Sequence, residues 1–500
     1  MKYSSSRGGH SAITAAEAIK MGISPDGGLF VPDVIPVMAE STWKKLEGQT
    51  YQERAAEILS YYLEDFSAAE ITKCIEGAYN SRSFDDERIA PLVNVGGKVY
   101  IQELWHGPTC AFKDMALQLL PHLLTTSAQK TGEKDEIVIL VATSGDTGKA
   151  ALEGFKDVPG VRIIVFFPQD GVSEVQKRQM ITQEGNNVFV AAVEGNFDDA
   201  QNGVKKIFAD QDFIATLARH GMKMSSANSI NWGRLLPQIV YYVSAYVDLL
   251  AAGSVKPGEA VNIVVPTGNF GNILAAFYAG RMGVPVKRLI CASNANNVLT
   301  EFIRTGEYDR NRIFAKTLSP SMDILISSNL ERLLYEITGH NSAIVSGWME
   351  ELKTRGSYDI GQEYRDKIQK IFWADFATDE ETQATIRNVW EAQKYLLDTH
   401  TAVAYDVYTK YMRSSGDNTA AIIASTASPF KFGTSVAEAV MRPEELAGQD
   451  EFAILKTLSD YTGLPIPEGI KNLEQRPILH KTVASQEAMG TTVLKYLRLL

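Results

Sequence analysis

The sequence predicts an α/β fold of mainly parallel sheets with helices on both faces, preceded by a mixed, largely helical N-terminal domain. Three observations predict it. Short β-branched runs alternate with helical ones through the middle of the chain, which is the rhythm of βαβ units. Loops rich in glycine and hydroxyl residues follow directly on several of those runs. Residues 1–93 lack the alternation altogether.

Taken in order, residues 1–93 combine the helical patterns "AAEAIKMG", "YQERAAEILSYYL" and "SAAEITKCIEGAY" with a turn-rich "SPDGGLFVPDVIP", and form the N-terminal domain. The stretch "KVYIQEL" (98–104) reads as a buried strand, followed by a Gly-Pro turn and a helix around Lys113. Strands are then predicted in "EIVILVAT" (136–143), "VRIIVFFP" (161–168), "NVFVAAVE" (187–194), "AVNIVVPT" (260–267), "KRLICAS" (287–293) and "AAIIASTA" (420–427), so that residues 94–435 form an α/β core. Within it, residues 339–400 are charged and helical in pattern, contain no strong strand candidate, and read as a helical insertion packed outside the sheets. Residues 436–500 form a C-terminal segment that packs on the core.

Composition narrows the function. With 500 residues, 45% of them hydrophobic, the chain can bury two or three sizeable cores. A net charge of −11 argues against nucleic acid as a main partner, because backbone phosphates are bound by clustered Lys and Arg. Cys74, Cys110 and Cys291 are widely spaced and form neither a disulfide framework nor a metal-thiolate pattern, which suits the cytoplasm. No run of about 18 apolar residues is present to span a bilayer.

In parallel α/β sheets, ligands bind beyond the carboxyl ends of strands. In "TGNFGN" (267–272) the amides of Gly268, Asn269, Phe270, Gly271 and Asn272 can turn toward one point ahead of a helix N-terminus, as a phosphate cradle does; an ordinary glycine-rich turn is the alternative. In "TSGDTG" (143–148) the hydroxyls of Thr143, Ser144 and Thr147 with the Gly145 amide suit a carboxylate or phosphate, or else simply cap the next helix. In "SSANSINWGRLLPQ" (225–238), Asn228, Ser229 and Arg234 precede an apolar helix, and Arg234 can grip a phosphate with two donors or sit at the surface.

Lys113 is the odd residue out. A cation at a helix start faces the positive end of the dipole, the wrong sign for stabilisation. A lysine between strand and helix, a phosphate cradle and a second anion site together suggest pyridoxal phosphate, which needs an amine, phosphate donors, a partner for its ring nitrogen and a place for the substrate carboxylate. The amine must be partly neutral, and desolvation beside helix N-termini favours that form.

The motifs "HGPTCAFKD", "TSGDTG", "NSINWGRLLPQ", "PTGNFGN" and "STASPFKF", with "SPDGGLFVP" near the start and "SPSMDI" at 319–324, together resemble the threonine synthase family, in its longer bacterial and fungal branch. That family lies among the fold-type II pyridoxal-phosphate enzymes related to the tryptophan synthase β chain. The resemblance covers residues 3 to 435 and fits the last 65 loosely. It implies two open sheets, a catalytic core over 94–435, and conversion of O-phospho-L-homoserine and water to L-threonine and phosphate by γ-elimination and β-addition of water. It further implies that Lys113 bonds the cofactor and shuttles protons at Cα and Cβ, that Phe112 lies beside the ring, and that Asp146 lies near the 3′-oxygen. Thr267, Gly268, Asn269, Phe270, Gly271 and Asn272 would hold the cofactor phosphate, and Thr426 would meet the pyridine nitrogen. Thr143, Ser144 and Gly145 would bind the substrate carboxylate; Thr147, Asn228, Ser229 and Arg234 would bind its phosphate. Ser428 stands where the family pattern carries His, and Asp146 where many fold-type II relatives carry Asn.

Two other outcomes stay open at this level. A phospholyase on the same fold would release 2-oxobutyrate, and a non-catalytic anion-binding protein would use the loops only as caps. His106 and His400 receive no role, and monomer and homodimer are equally compatible with the sequence.

Overall fold

The computed structural model describes residues 1–143, 145–169 and 172–500 of the chain. Local signals start the N-terminal helices. Ala15–Met21, Tyr51–Tyr62 and Ala68–Ala78 each open on a reciprocal cap, Thr14 with Glu17, Thr50 with Glu53 and Ser67 with Glu70, in which hydroxyl and carboxylate satisfy each other's backbone amides. On either side of the first of them, β1 (Tyr3–Ser5) and β2 (Phe30–Pro32) pair antiparallel.

The remaining strands follow along the chain: β3 (Leu92–Asn94), β4 (Val99–Glu103), β5 (Glu136–Ala142), β6 (Val161–Pro168), β7 (Val188–Val193), β8 (Met222–Ser225), β9 (Val261–Pro266), β10 (Val286–Ser293), β11 (Glu307–Asp309), β12 (Ser357–Asp359), β13 (Phe372–Phe376), β14 (Ala421–Ser425) and β15 (Thr482–Ala484). One sheet has the order β13-β10-β9-β14-β4-β3 and is parallel except for the β3–β4 pair. The other has the order β15-β7-β6-β5-β8 and is parallel throughout. Strands β5, β6 and β9 are apolar almost end to end, as strands covered on both faces must be. This is the α/β architecture of two mainly parallel sheets flanked by helices.

Strand order decides where a ligand can sit. In the first sheet the chain runs outward from β9 through β10 on one side and lays β14 and β4 on the other, so the order reverses between β9 and β14. In the second, β6 and β7 lie on one side of β5 and β8 on the other. A crevice opens beyond the strand ends at such reversals. The loops leaving β9, β14, β4, β5 and β8 are the five that carry the sequence motifs. The helix Trp232–Ala251, buried along nearly its whole length, follows β8 and leads to β9, joining the two sheets through the core.

One expectation needs correction. The segment 339–400 is not purely helical and does not lie wholly outside the sheets. It contributes β12, which pairs with β11, and β13, which extends the first sheet by pairing parallel to β10 with Leu289 opposite Phe372. Five residues at a sheet edge, "FWADF", need bury only alternate side chains, here Phe372 and Ala374, and so give little signal between charged helices. The four-residue β8 was missed because it is shorter still and exposes Lys223 in its middle. In the C-terminal segment, β15 adds to the edge of β7, and Tyr496 stacks on Phe189 of β7 with ring centres 4.8 Å apart. Among the described residues, no helix is long and apolar enough to cross a membrane.

Candidate active site

Lys113 is positioned by a zipper between the loops leaving β4 and β14. Leu104 N–H donates to the Ser425 carbonyl (3.0 Å), Phe112 N–H to the Thr426 carbonyl (2.8 Å) and Ser428 N–H to the Cys110 carbonyl (3.0 Å), with an isolated antiparallel bridge between Ala111 and Ala427. Cys110 takes a left-handed φ of 60° to make the turn. Lys113 then starts the short helix Lys113–Leu117, and the wholly buried Asp114 accepts from the Thr109 amide (2.8 Å) and hydroxyl (2.7 Å) to fix the preceding loop. Two predicted stretches more than 300 residues apart, around Phe112 and Thr426, are thereby one unit.

Opposite Lys113 stands Asp146, the first residue of the helix Asp146–Phe155. Its Oδ2 lies 3.7 Å from Lys113 Nζ and accepts from Ser321 Oγ (2.8 Å); its Oδ1 lies 3.1 Å from Lys431 Nζ and accepts from Gln176 Nε2 (2.9 Å). Burial would raise the proton affinity of this carboxyl, but the two ammonium groups and two hydrogen bonds outweigh it and hold Asp146 well below the usual carboxylate range. For Lys113, burial lowers the value to about 8; Asp146 opposes the drop, while the charges of Lys431 and Arg234 add to it. An amine near 8 has on the order of a tenth of its population neutral at pH 7, against far less than a hundredth for an ordinary lysine. That is an amine prepared for nucleophilic and proton-transfer work.

The cradle after β9 is built by backbone strain and close contact. Phe270 sits in the left-handed region (φ 63°) immediately before the helix Gly271–Met282. A Cβ at Gly268 would lie 2.8 Å from the Ser321 carbonyl oxygen, so glycine is needed there for packing. The loop's own carbonyls are tied outward: Gly268 O accepts from Ser327 Oγ (2.7 Å), and Asn269 O from the amide (3.0 Å) and Nδ2 (3.1 Å) of Asn329. Thr267 donates its hydroxyl to the Val265 carbonyl (2.7 Å). At the helix start, Asn272 Oδ1 accepts from Tyr241 (2.9 Å) and Tyr242, leaving its Nδ2 buried with no hydrogen-bond partner among the described residues. A buried unused donor at a helix N-terminus suits an anion, and the cradle therefore fits a phosphate.

Two more predicted loops line the second sheet. Thr143 Oγ1 accepts from the amides of Gly145 (3.0 Å) and Gly148 (2.9 Å), so this hydroxyl does cap the helix. Gly145 adopts φ 144°, and a Cβ there would lie 2.6 Å from Gln176; Thr147 is partly buried one residue beyond Asp146. Ser144 lies outside the described residues. After β8, Asn228 and Ser229 are partly buried, and Arg234 is almost wholly so. Arg234 donates from Nη1 to the Ala227 carbonyl but keeps Nε buried without a partner among the described residues, a second unused donor for an anion. Thr426 is buried at the end of the β14 loop.

The geometry adds residues that sequence reading did not single out. Lys431 and Ser321 lie inside quoted motifs but were given no task; Gln176 and Arg332 carried no signal. Arg332, fully buried, donates to the carbonyls of Phe30 (3.0 Å) and Ile230 and to Asn329 Oδ1, joining the loop after β8 to the cradle. His400 Nε2 accepts from the Ser321 amide (3.1 Å), which puts its proton on Nδ1, directed at Asp398 (3.0 Å). It thus holds the Ser321 turn beneath Asp146. His106 is clamped between Asp85 (2.6 Å) and Glu103 (2.9 Å) and raised to about 9: burial opposes the shift, and the two carboxylates overcome it.

An amine of lowered proton affinity, a phosphate cradle with a free donor, a second anion site and a buried hydroxyl at Thr426 fit pyridoxal phosphate and an anionic substrate. Comparison with known proteins agrees. Residues 2–79 match the model of the threonine synthase N terminus, residues 87–425 that of pyridoxal-phosphate-dependent enzymes, and residues 401–488 that of the threonine synthase C-terminal region. The chain is 42% identical over 461 residues to human threonine synthase-like 1, covering 90% of this chain but 61% of that relative, so it spans under two thirds of such relatives. It is 39% identical over 440 residues to the threonine synthase of Pseudomonas aeruginosa, covering 88% of this chain and 90% of the relative. The PLP-bound threonine synthase structure from Brucella melitensis superposes with a TM-score of 0.87 at 36% identity, covering 100% of this chain and 99% of that one. On these grounds the chain belongs to the threonine synthase family of pyridoxal-phosphate-dependent enzymes.

Proposed function

We propose that the protein converts O-phospho-L-homoserine and water to L-threonine and phosphate. The observation that carries this reading is the partly buried Lys113 amine, 3.7 Å from a carboxylate it shares with Lys431 and within electrostatic reach of Arg234. Pyridoxal phosphate, when bound, supplies the sink for charge that develops at the substrate carbons. Lys113, Phe112, Asp146, Thr426 and the loop Thr267, Gly268, Asn269, Phe270, Gly271 and Asn272 would hold it.

The chain's own groups do the rest. Lys113 removes and returns protons at Cα and Cβ, and an amine near 8 can both accept and donate them around neutral pH. Arg234, with Thr147, Asn228 and Ser229, holds the phosphate that leaves Cγ. Thr143, Ser144 and Gly145 bind the carboxylate. Retaining the departed phosphate beside Cβ supplies a base for the incoming water. Residues 94–435 make up the catalytic core, with 436–500 packed on it. The three cysteines, all free and buried, support a reducing, cytoplasmic setting, and the enzyme works as a monomer or homodimer.

Product analysis tests this reading. Purified protein loaded with pyridoxal phosphate and given O-phospho-L-homoserine is expected to release threonine and phosphate in equal amounts. Ammonia with 2-oxobutyrate as the dominant product would replace the synthase reading by the phospholyase one, and no turnover would leave a binding protein.

A further inference from the structure

Lys431 sits on the turn Pro429–Phe432 and is completely buried. Burying an ammonium is costly unless it is both paired and hydrogen-bonded. Both of its partners belong to the site: it donates to the Thr109 carbonyl (2.7 Å), in the loop that presents Lys113, and lies 3.1 Å from Asp146 Oδ1. The other oxygen of the same carboxylate faces Lys113 at 3.7 Å. One carboxylate therefore bridges two amines, and the tighter contact goes to the lysine farther along the chain.

We propose that Lys431 is a positioning residue that shares the Asp146 carboxylate with Lys113 and so leaves the Lys113 amine free to give up its proton. The inference rests on the reading of Lys113 as the reacting amine. A carboxylate devoted to Lys113 alone would hold its proton in place; divided between two cations, it still orients the amine but retains the proton less strongly. The direct repulsion between the two ammonium groups acts in the same direction, so removing Lys431 has one sign by either route. The charged and titratable groups around the pair are few. Lys113 faces Asp146 from one helix, Lys431 from the turn and Arg234 from the helix Trp232–Ala251. Lys431 also acts on Asp114, which burial raises to about 6 against the hydrogen bonds from Thr109, and on Cys110, which burial raises to about 12. Lys113 itself, at about 8, lies where a change in its surroundings alters the neutral fraction most at working pH.

The test follows capture of added pyridoxal phosphate by the full-length chain stripped of cofactor, by visible absorbance across pH, with borohydride trapping and peptide mapping to locate the adduct. Capture by the wild type is expected to rise to half its plateau near pH 8. Lys431→Gln can still donate to the Thr109 carbonyl but lacks the charge; its midpoint should rise by about one pH unit, which slows capture at neutral pH about tenfold. Lys431→Arg, which keeps the charge, should keep the wild-type midpoint. A wild-type midpoint in Lys431→Gln, or a shift in Lys431→Arg as large as in Lys431→Gln, overturns the proposal in favour of a purely packing role. Should Lys431→Gln fail to fold, Asp146→Asn serves: losing the carboxylate should lower the midpoint, and an unchanged midpoint overturns the proposal. An adduct on another lysine would instead defeat the reading of Lys113, so the two failures are distinguishable.

Discussion

Gly268→Ala is the perturbation whose cost can be worked most directly from the structure. The added methyl would meet the Ser321 carbonyl oxygen at 2.8 Å and Met322 Cα at 3.4 Å, both backbone atoms that cannot rotate away. Ser321 is itself fixed twice, its amide to His400 Nε2 (3.1 Å) and its hydroxyl to Asp146 (2.8 Å), so relief must come from displacing the cradle, the Ser321 turn or both. Overpacking of this kind costs about 1–3 kcal/mol. If it falls on the bound geometry, pyridoxal-phosphate affinity weakens by about 5- to 150-fold. Absorbance titration of stripped protein with the cofactor measures it, with a thermal melt alongside. Gly280→Ala, in the helix that follows the cradle, is the control, because a Cβ there meets only Val286 of β10, no nearer than 3.4 Å; it should leave affinity unchanged. Wild-type affinity and melting in Gly268→Ala would refute the claim that this loop packs against Ser321 to hold the cofactor phosphate.

Further outcomes follow from the same geometry. His106 is raised to about 9 in the folded chain against about 6.5 unfolded, so its contribution to stability is full below about pH 6.5 and is lost as pH rises through 9. Because its partner Asp85 is 57% exposed, the contribution is discounted to about 1–2 kcal/mol; denaturant melts of His106→Phe should show that deficit at pH 6 and nearly none above pH 9, and a pH-independent deficit would count against the carboxylate clamp. Thr143→Val removes the acceptor for the Gly145 and Gly148 amides and should destabilise the protein by about 1–2 kcal/mol without any ligand present, while Thr143→Ser should not. Equal stability of the two variants in urea would remove the capping role.

Much of this was legible in the sequence for a definite reason. β5, β6, β9 and β14 are apolar almost end to end, and β10 is from Leu289 to Ala292, because these stretches are covered on both faces, and such runs stand out from helical periodicity. The loops after β5, β9 and β14 carry glycine and hydroxyl residues, and these are the strands at which strand order reverses. Short edge strands leave no comparable mark: β13 buries only alternate residues, and the four-residue β8 buries only its two ends. The site was legible where function concentrates several residues in one loop, as around Lys113 and Gly268. It was not legible where a single side chain arrives from far along the chain. Lys431 has the composition of a surface lysine, and nothing local reveals that it is fully buried against Asp146. Nor does the sequence show that His400 reaches the site through the Ser321 amide.

The central claim is that phosphate leaves from Cγ and that water adds at Cβ. Turnover of O-phospho-L-homoserine in water enriched with heavy oxygen tests both at once by mass spectrometry of the two products. Cleavage of the carbon–oxygen bond keeps all four substrate oxygens on phosphate and brings one solvent oxygen into the threonine hydroxyl. Light phosphate and singly labelled threonine are expected. Labelled phosphate accompanied by unlabelled homoserine would mean attack at phosphorus, and would contradict it.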